Sequence, residues 1–177
     1  MNQKKVISVL MAGIMSANLG LADMNIVRAA DEAPNLALGT EVTASDAESV
    51  NPAENAVDGD ASTHWATNQS KMNDQWIELD LKVPTEVHQV KILWERHTEE
   101  KKNYQNIKKW KVEVLQEDNT WVTAAEDADS AYSDTESVIE PDTPVTASKI
   151  RVTVVEADNR GNYWANIGIS EIEVYGE

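Results

Sequence analysis

Five stretches of this chain alternate apolar and polar residues with a period of two, and that periodicity commits the fold to β-structure. Ile77, Leu79 and Leu81 alternate with Glu78 and Asp80, Val90, Ile92 and Trp94 with Lys91 and Leu93, and Trp110, Val112 and Val114 with Lys111 and Glu113. Further along, Ile150, Val152 and Val154 alternate with Arg151 and Thr153, and Ile172 and Val174 with Glu171 and Glu173. Successive side chains of a strand point to opposite faces, so each stretch reads as a strand with one buried face. Turn-forming residues separate them: Lys82 to Thr85 with Pro84, Glu117 to Thr120 around Asp118-Asn119, Pro141 to Pro144, and Asp158 to Asn162 around Gly161. Apart from Pro52 to Val57, no segment carries a helical period longer than a turn or two. Many short strands, long loops and no long helix predict an antiparallel all-β sandwich.

Residues 1–29 read as an export signal, because Lys4 and Lys5 precede an apolar run from Val6 to Leu21 and small residues follow at cleavage positions. Residues 30–34 form a short linker, and one domain spans 35–177, long enough to bury a core. The expected location is therefore secreted or cell-surface, in a bacterium. The chain has no cysteine, so outside the cell its stability rests on packing, with a metal as the other available device. Loss of 1–29 removes Lys4, Lys5 and Arg28 against Asp23, which moves the net charge from −16 to −18. Such a field repels phosphate backbones, so nucleic acid is excluded as a partner and anionic membrane is disfavoured. The acidic stretch Glu126 to Glu136 reads as a solvated loop.

Residues 51–67, NPAENAVDGDASTHWAT, gather oxygen donors around the turn dipeptide Asp58-Gly59, and GISEIEVYG at 168–176 brings Glu171 from the other end of the domain. Asp58, Asp60, Thr63 and Glu171 suit a hard cation, which takes carboxylate, hydroxyl and carbonyl oxygens. An EF-hand reading fails, since the sixth position from Asp58 is Thr63 and the twelfth is Gln69. Together the two stretches resemble the opening and closing signatures of the discoidin domain (coagulation factor 5/8 C-terminal type), whose bacterial members include the family 32 carbohydrate-binding modules. The resemblance covers about residues 35–177 and implies a discoidin-like jelly roll, similar to galactose-binding domains. It also implies a structural calcium held by the carbonyls of Asn55 and Asp60, the Asp58 carboxylate, the Thr63 hydroxyl and carbonyl, the Ser170 carbonyl and the Glu171 carboxylate.

The stretch 92–114 carries Arg96, His97, Asn103, Tyr104 and Asn106, polar planar groups of the kind that grip adjacent sugar hydroxyls. A second candidate loop, 159–174, presents Asn162, Tyr163 and Trp164 just before the last strand, with an aromatic face to cover a sugar's apolar side. Family 32 modules that bind galactose-type sugars use an arginine and an asparagine from the earlier loop with an aromatic from the later one. The resemblance thus singles out Arg96, Asn103 and Trp164. Those relatives also carry a histidine where this chain has Ala66, which points to an N-acetylhexosamine or another non-galactose sugar. Trp65, Trp76, Trp94, Trp110 and Trp121 are expected in the core.

No catalytic constellation is recognisable: there is no cysteine, no G-x-S-x-G, no H-E-x-x-H and no phosphate-binding glycine loop. The reading is a non-catalytic carbohydrate-binding module, able to serve an attached catalytic module in a longer chain. The alternatives are a discoidin-type adhesion domain for a protein or lipid surface, whose apolar spike in 67–75 could only be Met72, and an undetected glycoside hydrolase.

Overall fold

The computed structural model describes residues 33–95, 106–130, 135–158 and 165–177. The chain divides into Met1–Asp31 and Glu32–Glu177, and every described residue belongs to the second unit. The expected export signal lies outside the described residues, as does most of the linker.

Among the described residues the domain has eight strands: β1 (Glu41–Ala44), β2 (Trp65–Ala66), β3 (Gln75–Glu95), β4 (Asn106–Leu115), β5 (Trp121–Asp127), β6 (Glu136–Ile139), β7 (Val145–Asp158) and β8 (Gly168–Gly176). All pairings are antiparallel. The fold is the expected all-β antiparallel sandwich. Its organising element is β3. The first part of β3 pairs with β1 and β7, and its second part with β6 and β8, so one strand serves both layers. The hydrogen-bonded path runs β2-β8-β3-β7-β4-β5.

The segment Lys82 to Thr85, expected as a separator between two strands, is instead an irregularity within β3. The β7 register slips between Asp80 and Thr85, and Lys82 adopts a left-handed φ of 68°. Asp80 Oδ1 accepts the Lys82 N–H at 2.8 Å and supports that conformation. A left-handed residue redirects a strand locally, so the chain changes layer without leaving extended structure. Glu117 to Thr120 and Pro141 to Pro144 fall between strands, with Asn119 left-handed at φ 62° in the β4–β5 turn, while Asp158 ends β7 and residues 159–162 lie outside the described residues. Pro52 to Val57 contains a 3-10 turn, Ala53–Val57. Of the acidic stretch Glu126 to Glu136, expected as a loop from its charge, Glu126 and Asp127 belong to β5 and Glu136 to β6, and residues 131–134 lie outside the described residues.

The alternating apolar residues fill the interior as expected: Ile77, Leu79, Ile92, Ile150, Val152, Ile172 and Val174 are at most 1 % exposed. Each such side chain contributes roughly 1.5–3 kcal/mol through burial. Trp65, Trp94 and Trp110 join them, with Trp94 and Trp110 ring centroids 6.0 Å apart. Trp65 donates to Asp46 O at 2.9 Å and Trp94 to Ser137 Oγ at 2.8 Å, which satisfies both buried indoles. The first and last described segments of the domain pair as well. Leu36 N donates to Val174 O, Val174 N donates to Asn35 Oδ1, and Gly176 lies so close to Glu86 that a Cβ there would sit 2.0 Å from its carbonyl oxygen.

Trp76 and Trp121 are not core residues. Both are half-buried, and the Arg151 guanidinium lies 5.2 Å from the Trp76 centroid and 4.1 Å from that of Trp121. Strand parity explains this for Trp76, which shares the outward side of β3 with Glu78 and Asp80 while Ile77 and Leu79 point inward. Arg151 donates to Glu78 Oε2 through Nη2 at 2.7 Å and Nε at 3.1 Å, and Lys149 donates to Glu78 Oε1 at 2.8 Å. Burial alone would raise the Glu78 carboxyl, but hydrogen bonds and charge from Lys149 and Arg151 outweigh it and hold it below its ordinary value. A lowered carboxyl stabilises the fold above the unfolded pKa, and that contribution disappears as pH falls through the folded value. Acid unfolding should therefore be shallower in Glu78→Gln than in the wild type below about pH 4.5. At neutral pH, Arg151→Ala should lose roughly 1–3 kcal/mol by denaturant titration. Identical acid profiles for wild type and Glu78→Gln would contradict this account.

Candidate functional site

The expected cation ligands converge. The 3-10 turn ends at Asp58, and Gly59, at φ 80°, lets the backbone curl back over it. Asp58 Oδ1 accepts the Asp60 N–H at 2.8 Å, while its Oδ2 accepts the Thr63 hydroxyl at 2.7 Å. Thr63 Oγ1 also lies 2.9 Å from Asp60 O and 3.5 Å from Asn55 O, so four oxygens from four residues share one small volume. Asn55 Nδ2 holds the far side of this loop through His64 O at 3.1 Å. The Asp60 carboxylate turns away to Ser62, whose hydroxyl and then backbone N–H lower its pKa, and only its carbonyl faces the cluster.

Glu171 arrives from β8. Its Oε2 accepts the Gly59 N–H at 3.1 Å across 112 positions of sequence, and its Oε1 is buried with no hydrogen-bond partner. Burial pushes this carboxyl up to about 7 against the pull of the Gly59 N–H, and the negative charge of Asp58 adds to the rise. Ser170 is the extra residue at a register shift between β3 and β8, where Leu93 pairs with Glu171 and Trp94 with Ile169. The extra residue of such a bulge is left unpaired in the ladder. Its hydroxyl donates to Glu95 Oε2 at 2.8 Å.

Among the described residues, no three His, Cys, Asp or Glu side chains converge as a metal-binding group. Here two carboxylates, Asp58 and Glu171, stand among carbonyl and hydroxyl oxygens. That donor set is all oxygen, and an orphaned buried carboxylate oxygen faces like charge, which fits a hard cation and no softer one.

The sugar-ligand candidates Arg96, His97, Asn103, Asn162, Tyr163 and Trp164 lie outside the described residues, as does Tyr104, while Asn106 opens β4. The residues flanking both segments come together through the strand register: Asn106 pairs with Asp158, and Glu95 with Gly168. Beside Asp158 a groove of about 760 Å³ is lined by Ser70, Lys71, Met72, Gln75, Lys108 and Glu156. Met72 is partly buried against the core rather than exposed as a spike.

One polar cluster escaped sequence reasoning. Glu48 accepts from Asn51 Nδ2 at 2.9 Å and from Asn166 Nδ2 at 3.0 Å, and its backbone N–H donates to Ala66 O at 2.8 Å. Asn166 also donates to Thr67 O at 3.0 Å, and its Oδ1 is buried without a partner. Glu48 and Asn166 are 118 positions apart and belong to no local motif, so nothing in the sequence links them.

Residues 41–169 match the F5/8 type C domain, and the chain belongs to that family. Solved structures agree. Chitosan-binding module 1, derived from a chitosanase/glucanase of Paenibacillus sp. IK-5, is similar at 26 % identity and a TM-score of 0.66, covering 81 % of this chain and 99 % of that one. The family 32 carbohydrate-binding module of C. perfringens NanJ, solved with galactose, is similar at 22 % identity and TM-score 0.64, covering 77 % and 93 %. A fucose-binding module of Streptococcus pneumoniae is similar at 18 % identity and TM-score 0.62, covering 81 % and 98 %. No curated protein matches the sequence.

The site makes a prediction for the cation-free protein. The folded Glu171 carboxyl keeps its proton up to about 7, whereas in the unfolded chain it releases it near its ordinary 4.5. The folded state therefore binds the extra proton, and this group's contribution to stability falls as pH rises through that interval. In chelator, Glu171→Gln should match the wild type at pH 4.5 and exceed it in melting temperature at pH 8, because the amide keeps an acceptor for Gly59 and buries no charge. A mutant less stable than wild type at pH 8 in chelator would contradict the placement of Glu171.

Proposed function

We propose that this domain is a non-catalytic glycan-binding module of an exported protein, braced by a structural calcium, and that its ligand contains hexosamine. The observation that carries the reading is the likeness, over 81 % of this chain, to a chitosan-binding module within a family to which the chain belongs. The chemistry of the chain supports it. A domain with a net charge of −16 in the full sequence attracts protonated amino sugars and repels anionic polymers. Ala66 stands where galactose-binding relatives carry a histidine, and Glu48 beside it supplies a half-buried carboxylate held by two amides. Arg96 and Asn103 would hold ring hydroxyls while Trp164 covers the apolar face. The lipid-surface alternative loses support because Met72 packs inward. Attachment to a catalytic module or to the cell surface would put the bound polymer within reach of the protein's partner activity.

Calcium would be held by Asp58 and Glu171 with the carbonyls of Asn55, Asp60 and Ser170 and the oxygens of Thr63, closing the two ends of the domain on each other. Saturation at 100 times the dissociation constant stabilises the fold by roughly 2.7 kcal/mol. Chelator should lower the melting temperature of the wild type and leave that of Asp58→Ala unchanged. A wild-type melting curve indifferent to chelator would remove calcium from the account.

Glycan binding is tested by calorimetry with chitotriose, N-acetylglucosamine oligomers and galactose. The expected monosaccharide dissociation constant is about 0.1–1 mM, roughly 4–5.5 kcal/mol, so a loss of 1.4 kcal/mol weakens binding tenfold. Arg96→Ala and Trp164→Ala should each lose at least that much with little change in melting temperature. Hexosamine oligomers should bind more tightly than galactose. Failure of all three sugars to bind would overturn the glycan reading, and release of reducing sugar by the domain would overturn its non-catalytic part.

A further inference from the structure

We propose that the groove lined by Lys71 and Lys108 is a subsite for a carboxylate-bearing sugar, a hexuronic acid being the simplest, within the glycan that the domain binds. The proposal deepens the glycan-binding reading and rests on it. Lys71, Met72 and Asn73, from the segment before β3, line the groove together with Lys108 of β4 and Glu156 and Asp158 of β7. Its volume is about 760 Å³, within the range of about 300 to 1,000 Å³ common for ligand pockets.

Charge pairing sets this groove apart. In a chain of net charge −16 carboxylates are abundant, and Lys82, Lys91, Lys109, Lys111, Lys149 and Arg151 each pair with one. Among the described residues, Lys71 and Lys108 are the two cations without such a partner, and both line this groove. Lys109 Nζ lies 2.5 Å from Glu156, which leaves the lining with two cations and one further carboxylate, Asp158. Local positive charge of this kind selects an anion, through charge-assisted hydrogen bonds from the two ammonium groups. The acidic field of the whole domain is screened over about 8 Å at physiological salt. It turns away extended polyanions, while a single carboxylate in contact with both lysines is stabilised.

The backbone places both lysines. Lys108 is the extra residue of a bulge: Ile107 pairs with Ala157 and Lys109 with Glu156, so Lys108 has no register partner on β7. Bulges re-aim side chains, and the Lys108 carbonyl accepts the Ser130 N–H at 2.9 Å, which holds this one from its other side. Lys71 follows Ser70, which is left-handed at φ 68° and donates its N–H to Ala165 O at 2.8 Å. The Lys71 carbonyl accepts the Thr67 hydroxyl at 2.5 Å. A non-glycine residue keeps such a φ only where its surroundings hold it. Asn73 Oδ1 accepts the Ala157 N–H at 3.0 Å, which pins the segment to β7 and leaves Nδ2 to donate to a ring hydroxyl. Met72, packed against the core, and Ala157 supply apolar contact for the ring's C–H side.

An NMR titration of the isotope-labelled domain with glucuronic acid, glucose, acetate and chitotriose tests this. The amides of Lys71, Asn73, Lys108 and Ala157 should shift saturably with glucuronate, and with glucose or acetate only at concentrations roughly tenfold higher or more. Lys71→Gln and Lys108→Gln should each weaken the glucuronate response by about tenfold with the melting temperature unchanged, and Lys108→Arg should retain it. Equal responses to glucuronate and acetate would overturn the sugar assignment. No glucuronate response, an equal response to glucose, or glutamine variants that bind like the wild type would overturn the proposal. Chitotriose binding without a glucuronate response overturns the subsite alone, whereas a glucuronate response without chitotriose binding supports the subsite and removes hexosamine from the broader reading.

Discussion

The buried carboxylate of Glu171 is the constraint on which the closure of this domain depends. It is 3 % exposed, it contacts the Asp58-Gly59 turn from a strand 112 residues away, and one of its oxygens has no partner. A buried charge of this kind is tolerated only when neutralised or paired. The surrounding oxygens of Asp58, Asp60, Thr63 and Asn55 cannot pair with it, because they too are acceptors or share their hydroxyl among themselves. The proposed hard cation would resolve both problems at once, and in a chain without cysteine it would supply the cross-link between distant segments that a disulfide otherwise gives.

From that closure the rest of the architecture follows in order. β8 is anchored at Glu171 near one end and by Leu36 and Asn35 at Val174 near the other, and it pairs along the second part of β3. β3 then crosses to the other layer through Lys82 and pairs with β7, which carries β4 and β5. This path brings Glu95, Asn106, Asp158 and Gly168 into two register pairs, the roots of the segments that hold the expected sugar-binding residues. Ser170 joins the two regions directly: it is the bulged residue beside Glu171, and its hydroxyl holds Glu95 at the end of β3.

Much of this was legible in the sequence, for identifiable reasons. The five alternating stretches all lie in strands, because period-two patterning records which face is buried. The same parity, applied consistently, would have placed Trp76 outside with Glu78, whereas size and hydrophobicity alone suggested the core. The short strands β1, β2 and β6 span only two to four residues, too few for a period to register. The bend at Lys82 looked like a turn because Pro84 is a turn residue, yet one left-handed residue accomplished the redirection inside a continuous strand. The convergence of oxygens was legible because most of them are local, within Asn55 to Thr63. The Glu48–Asn166 contact was not, because it arises only when the segment just before β8 and the loop before β2 meet in three dimensions.

The most direct test of the central claim is a crystal structure grown with calcium, with anomalous diffraction data recorded to locate the ion. The account predicts a single anomalous peak about 2.3–2.6 Å from oxygens of Asp58, Thr63 and Glu171 and from the Asn55 and Asp60 carbonyls. A map with no peak at this cluster, and Glu171 still bonded only to Gly59, would contradict it.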